Sequence, residues 1–171
     1  FGVSMKKILP FITLITIIAI IIIIFLSMSN AKQMVVLKEG NTALTPLEII
    51  LGRYQDSDCG MVIDKMDYVS QVISNDGKTW FFHDHGGMTN WLRTKSFKDD
   101  AKIWVMSKDT KQYINGRTAW YSRTDNTPMK YGFGAYEVKQ DGFITFEEMS
   151  LKVLRNETLR NPYIQKELLG K

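Results

Sequence analysis

The stretch Asp58-Cys59-Gly60-Met61 holds the one cysteine of the chain, a single residue away from a methionine. A thiolate and a thioether are soft ligands, which prefer Cu(I) to the hard cations. In an extended loop Cys59 and Met61 point the same way, and Gly60 between them removes bulk and permits an unusual backbone angle. Both histidines of the chain stand in His83-Asp84-His85, followed by Gly86-Gly87-Met88. At a strand end their i, i+2 spacing turns both rings to one face and Asp84 to the other. A further sulfur, Met129, follows Pro128 in a turn-rich segment. Cys59, Met61, His83, His85, Met88 and Met129 are therefore the candidate metal ligands.

One thiolate, thioethers and one or two imidazoles suit Cu(I) best. Structural zinc takes four Cys or His ligands in short paired spacings, and this chain has one Cys and two His. Carboxylates could complete a zinc site, so zinc stays open. Cys59 as a nucleophile with a histidine base is a second chemistry, a thiol-dependent enzyme or redox protein, but nothing places an oxyanion hole. An inert core cysteine is the bland alternative, and the neighbours Asp56, Ser57, Asp58 and Gly60 speak for a loop instead. Gly132-Phe133-Gly134 lacks the flanking pattern of a phosphate-binding loop.

These residues need elements to position them. Thr45-Pro46-Leu47-Glu48 reads as a helix start with an N-cap, Pro at the first position and a capping box. Leu47, Ile50, Leu51 and Tyr54 follow at helical spacing, which predicts a helix over 46–55 that delivers the chain into the Cys59 loop. A short strand is expected over 34–37. Tyr68–Ile73 and Lys78–His83 read as two strands joined by Asn75-Asp76-Gly77, a strong hairpin signal. A short helix through Trp91 and Leu92 follows. Further strands are expected over 101–106 and within 113–120. A second hairpin is expected from 135–139 and 143–146 about Gln140-Asp141-Gly142. A helix over 147–155 and a polar peripheral tail complete the chain.

Ile8 to Phe25 is almost wholly apolar and uncharged. At about 1.5 Å per residue it reaches roughly 27 Å, close to a bilayer core. Lys6 and Lys7 precede it and orient that end towards the cytoplasm, so the rest of the chain crosses to the periplasm. The expectation is a single-pass inner-membrane protein with its C-terminal domain outside. A cleaved signal peptide is the rival reading, with small residues at Ser27-Met28-Ser29 and Ser29-Asn30-Ala31, but the apolar run exceeds the usual h-region. In an oxidising compartment a lone cysteine has no internal disulfide partner. Beyond the anchor the basic residues nearly balance the 18 acidic ones, and no basic stripe interleaves with aromatics; nucleic acid is not an expected partner. The domain reading is an anchor over 1–30, a linker over 31–45, a compact domain over 46–156 and a tail over 157–171.

The two halves share an order: Gly60-Met61, Asp76-Gly77, Phe81-Phe82 and Trp91-Leu92, then Pro128-Met129, Asp141-Gly142, Thr145-Phe146 and Val153-Leu154. That order points to two related units with Met61 and Met129 in corresponding places. Asp58-Cys59-Gly60-Met61, the Asp76-Gly77 turn and Thr127-Pro128-Met129-Lys130-Tyr131-Gly132-Phe133-Gly134-Ala135 together resemble the NosL family, copper-binding accessory proteins of nitrous oxide reductase. The resemblance covers roughly residues 56–153. It implies an α+β fold of two related ββα-type halves, akin to a domain of organomercurial lyase. It implies a non-enzymatic Cu(I) chaperone that hands copper to the copper–sulfide centre of nitrous oxide reductase, or to another extracytoplasmic copper protein. Carried over by residue, Cys59 is the thiolate ligand, Met129 a thioether ligand from the other half, and Met61 a candidate. Two features depart from the family: the apolar helix stands where a lipobox cysteine is common, and His83-Asp84-His85 is richer in histidine. The second departure leads to the expectation that His83 or His85 serves as a third copper ligand.

Overall fold

The computed structural model describes residues 5–29 and 33–170. The chain forms two compact units, Phe1–Gln33 and Met34–Lys171. In the first, α1 (Met5–Ser29) is long and apolar enough over Ile8–Ser27 to cross a membrane. Its polar side chains suit lipid. The Thr13 hydroxyl donates to the Pro10 carbonyl at 2.9 Å and that of Thr16 to Ile12 at 2.9 Å, so neither is left bare.

The second unit is α+β. A five-stranded antiparallel sheet runs in the order β1 (Leu37–Lys38), β3 (Thr79–Phe82), β2 (Ser70–Ile73), β4 (Lys102–Met106), β5 (Tyr113–Asn115). The β2–β3 hairpin turns on Asn75-Asp76-Gly77, with Gly77 at φ +80°, as its residue types require. Alternation sorts the two faces. Val72, Phe82, Ile103 and Val105 enter the larger core, which α2 (His85–Leu92) and α3 (Phe146–Leu154) cover through Met88, Leu92, Phe146, Met149 and Val153. Phe81, with Val69 and Met106, faces a smaller core of Ile49, Tyr54 and Ile63, supplied by the irregular segment 44–63.

Two expectations fail, each for a tertiary reason. The segment 46–55 is not a helix. The Gln71 side chain, wholly buried, accepts the Leu47 N–H at 2.8 Å and donates to the Leu47 carbonyl at 2.7 Å. Burying that amide without partners would cost about 1–3 kcal/mol per group, so its satisfaction outweighs the capping signal at Thr45. The second hairpin does not pair with itself. β6 (Trp120–Tyr121) lies between the two runs, Ala135 of β7 (Ala135–Tyr136) opposite Tyr121 on one side and Ile144 opposite Tyr121 on the other. Tyr121 is fully buried there and donates its hydroxyl to the Gly116 carbonyl at 2.6 Å. The tail carries α4 (Pro162–Leu169), capped by Asn161, opened by Pro162 and ended by Gly170 at φ +67°.

Candidate metal centre

The Cys59 loop is docked on β3 at Phe81, on the edge that β1 covers only at Thr79 and Trp80. Ser57 donates its N–H to the Phe81 carbonyl at 2.7 Å, its hydroxyl accepts the Phe81 N–H at 3.0 Å, and the same hydroxyl donates to the Val36 carbonyl at 2.7 Å. Beside it, Asp56 is buried and serves as the hub of the loop. One oxygen accepts the N–H groups of Asp58 (2.9 Å) and Cys59 (3.1 Å). The other accepts the His83 N–H at 2.9 Å and lies 2.6 Å from His83 Nδ1. Gly60, at φ +74°, closes the turn by donating to the Asp56 carbonyl at 2.9 Å; a side chain there would meet nothing, so the constraint is conformational.

This wiring brings Cys59 Sγ to 4.0 Å from His83 Nδ1. Asp56, Cys59 and His83 each offer a ligand atom, all within 4.8 Å of one another, a group that can hold a metal ion. An ion bonded at about 2.0–2.3 Å to nitrogen and sulfur fits between the two. His83 Nε2 is buried without a hydrogen-bond partner among the described residues. Burial pulls the His83 pKa down, but the hydrogen bond and charge of Asp56 outweigh it, and the net shift is upward. Burial alone would raise Asp56; its hydrogen bonds from the His83 ring and backbone and from Cys59 and Asp58 win and lower it. Burial raises the Cys59 thiol, the Met61 N–H offsets part of this, and the nearby charges of Asp56 and Asp58 raise it further. The resting sulfur is a thiol in a negative setting, which a cation can deprotonate and replace the proton on.

No protein-family model, curated protein or solved structure matches this chain. The site is therefore read from its own geometry.

The other candidate ligands are dispersed. His85 is the first residue of α2 and fully buried, its Nδ1 3.0 Å from the Ser70 hydroxyl and its ring edge-on to Tyr68 and Tyr121. Burial drives its pKa down to about 3, so it stays neutral. Met88 is fully buried in the larger core. Met61 is 47% exposed on the surface. Met129 is half-buried against the larger core, and its sulfur lies 3.2 Å from where a Cβ on Gly87 would stand. Its loop is tied down by Asp84, whose one oxygen caps α2 at Gly86 N–H and whose other accepts the Met129 N–H, both at 2.9 Å. Asp84 thus joins the Pro128-Met129 loop to the residue next to His83. Burial raises the Tyr131 hydroxyl, Arg160 opposes it, and the charges of Asp84 and Asp58 add a smaller upward push.

Two working residues escaped the sequence reading. Asp56 was seen only as loop chemistry, although its place two and three residues before Asp58 and Cys59 is the spacing at which an Asp side chain accepts the backbone N–H groups ahead of it. Asp84 was set aside as facing away from the histidines, yet that direction is where it caps α2.

Proposed function

We propose that the chain is a membrane-tethered Cu(I)-binding chaperone of NosL type, facing the periplasm from the inner membrane and passing copper to nitrous oxide reductase or another copper-receiving protein. The observation that carries this reading is the meeting of Cys59 Sγ and the His83 ring at 4.0 Å over a loop that Asp56 holds in shape. Both Asp56 oxygens accept backbone N–H groups, so the donors left for an ion are sulfur and imidazole, the ion taking the place of the proton that His83 Nδ1 shares with Asp56. Thiolate and imidazole suit both Cu(I) and zinc; the preference for Cu(I) rests on a thioether joining them and on the resemblance to the NosL family. Met129 is the candidate third donor from the other half. Both β2–β3–α2 and β6–β7–α3 run strand, strand, helix, but Met61 precedes β2 whereas Met129 lies between β6 and β7, so the two methionines do not occupy corresponding places. Cys59 is exposed, which leaves the ion open to exchange with a recipient's ligands. A thiol whose pKa is raised is a weak nucleophile at neutral pH, which weighs against the thiol-enzyme reading.

The test is titration of the reduced full chain with Cu(I) against a competing chelator, with Zn(II) in parallel. One-to-one Cu(I) binding, lost in Cys59→Ser, is the expected result. Zinc outcompeting copper, or thiol turnover without any metal, overturns the proposal.

A further inference from the structure

The segment that builds the metal loop also builds a small ribbon. Val35 bridges Tyr54 in parallel, and Gln55 bridges Val62 in antiparallel pairing. Val35, Tyr54 and Ile63 turn inward to the smaller core. By strand alternation the opposite face takes Val36 and Val62. Leu37 and Met61, next to them along the chain, alternate to the other side and are exposed beside this face, Leu37 in β1 where it pairs with Trp80. Ile50 and Leu51 stand at the turn beside Ile63, where Gly52 N–H meets the Ile63 carbonyl at 2.9 Å. These six aliphatic and thioether side chains are each 40–53% exposed. Outside this patch, the large exposed apolar residues described in the folded unit, Val138, Leu151, Leu154 and Tyr163, belong to other segments.

We infer that this face rests on the lipid bilayer. The inference depends on α1 spanning the membrane, not on which metal the site binds. Its main support is the length of the tether: residues 30–35 alone separate Ser29, the end of α1, from Val36. A chain of that length reaches at most about 25 Å at full extension, whatever its course. An apolar face so tethered meets lipid at a high effective concentration and needs little intrinsic affinity to stay there. The rim carries Arg53 and Lys38 against Glu39 and Glu48, so burial of apolar surface, rather than attraction to anionic headgroups, is the driving term. Met61 and Val62 follow Cys59 by two and three residues, so this docking holds the metal site at the lipid–water boundary and presents it to recipients there.

The experiment uses the full chain in a Cys59→Ser background, reconstituted into vesicles of phosphatidylcholine or of phosphatidylethanolamine with phosphatidylglycerol. A nitroxide is attached in turn at Leu51→Cys, Val62→Cys, Val138→Cys and Leu154→Cys, and its collisions with oxygen and with a water-soluble nickel chelate are compared. No copper is involved, so failure of the copper reading cannot be mistaken for failure here. Oxygen collisions should dominate at positions 51 and 62 and nickel collisions at 138 and 154, equally in both lipids. The inference is overturned if positions 51 and 62 behave like 138, if protection appears only with anionic lipid, or if the chain does not float with the vesicles.

Discussion

His83 is 6% exposed with its Nδ1 2.6 Å from Asp56, whereas His85, two residues on, is fully buried with its Nδ1 3.0 Å from the Ser70 hydroxyl. One ring belongs to a metal-capable group and the other to the larger core. The split comes from the residue between them. β3 ends at Phe82, so His83 still follows strand alternation and shares the face of Phe81, where the 44–63 segment packs. Asp84 then caps α2, and from His85 onward the chain turns about 100° per residue instead of 180°. His85 therefore swings to the other face of the sheet, where Ser70 lies. Two identical side chains receive opposite pKa shifts because one meets a carboxylate directly and the other is wholly buried beside tyrosine rings and a hydroxyl, where desolvation outweighs the charge of Asp125.

The largest effect expected from breaking this contrast is on stability. His85→Ala leaves a void among Tyr68, Ser70 and Tyr121 and should cost about 2–5 kcal/mol in urea unfolding of the full chain in detergent, while Cu(I) affinity changes little. An equal loss of copper binding would contradict the separation of the two histidines.

Next in size is the pH dependence, where the two rings have opposite signs. His85 titrates near 6.5 when unfolded and near 3 when folded. Below pH 6.5 the unfolded chain takes up a proton that the folded chain refuses, so stability falls as pH drops from about 6.5 towards 3. His85→Gln, which can still bond Ser70, should flatten that acid limb. His83 holds its proton to a higher pH folded than unfolded. Its contribution is complete below 6.5 and is lost as pH rises through the raised folded value. His83→Gln should flatten that upper limb and leave the acid limb intact; the reverse pattern would exchange the two assignments.

The smallest effect is the one closest to function. Asp56→Asn keeps the side-chain volume but removes the charge that orients His83 and sets an NH2 donor against N–H groups that a carboxylate oxygen accepted. Losing such a supporting partner should weaken Cu(I) binding about 10–100-fold. Asp84→Asn, one residue from His83, separates two roles for the Met129 loop. Weaker copper binding with an unchanged His83 pH limb would mark Met129 as a ligand, and no change in copper binding would remove it from the set.

Much of the architecture was readable from local signals. The apolar run at Ile8–Phe25, the Asn75-Asp76-Gly77 hairpin and the strand at 102–106 all depend on residues a few positions apart. Even α4, unread in the sequence, announces itself by Asn161, Pro162 and Gly170. Of the site, Cys59 and His83 were named from their types, and the idea that one histidine joins the cysteine came from their scarcity. Asp56 was missed because an acidic residue in a loop is common, and its value lies in the partners it collects across 27 residues of sequence.

Residue type and spacing by themselves determined which atoms could bind a soft metal, where the chain could cross a membrane and where the β2–β3 hairpin turns. The tertiary structure alone decided that Leu47 pairs with Gln71 and does not start a helix, that Tyr121 parts the expected second hairpin, and that Cys59 meets His83 while His85 and Met88 go to the core. The physical reason is the same in each case. Turns and apolar runs are set by neighbours along the chain, but a buried amide, hydroxyl or imidazole must find its partner wherever the fold supplies one.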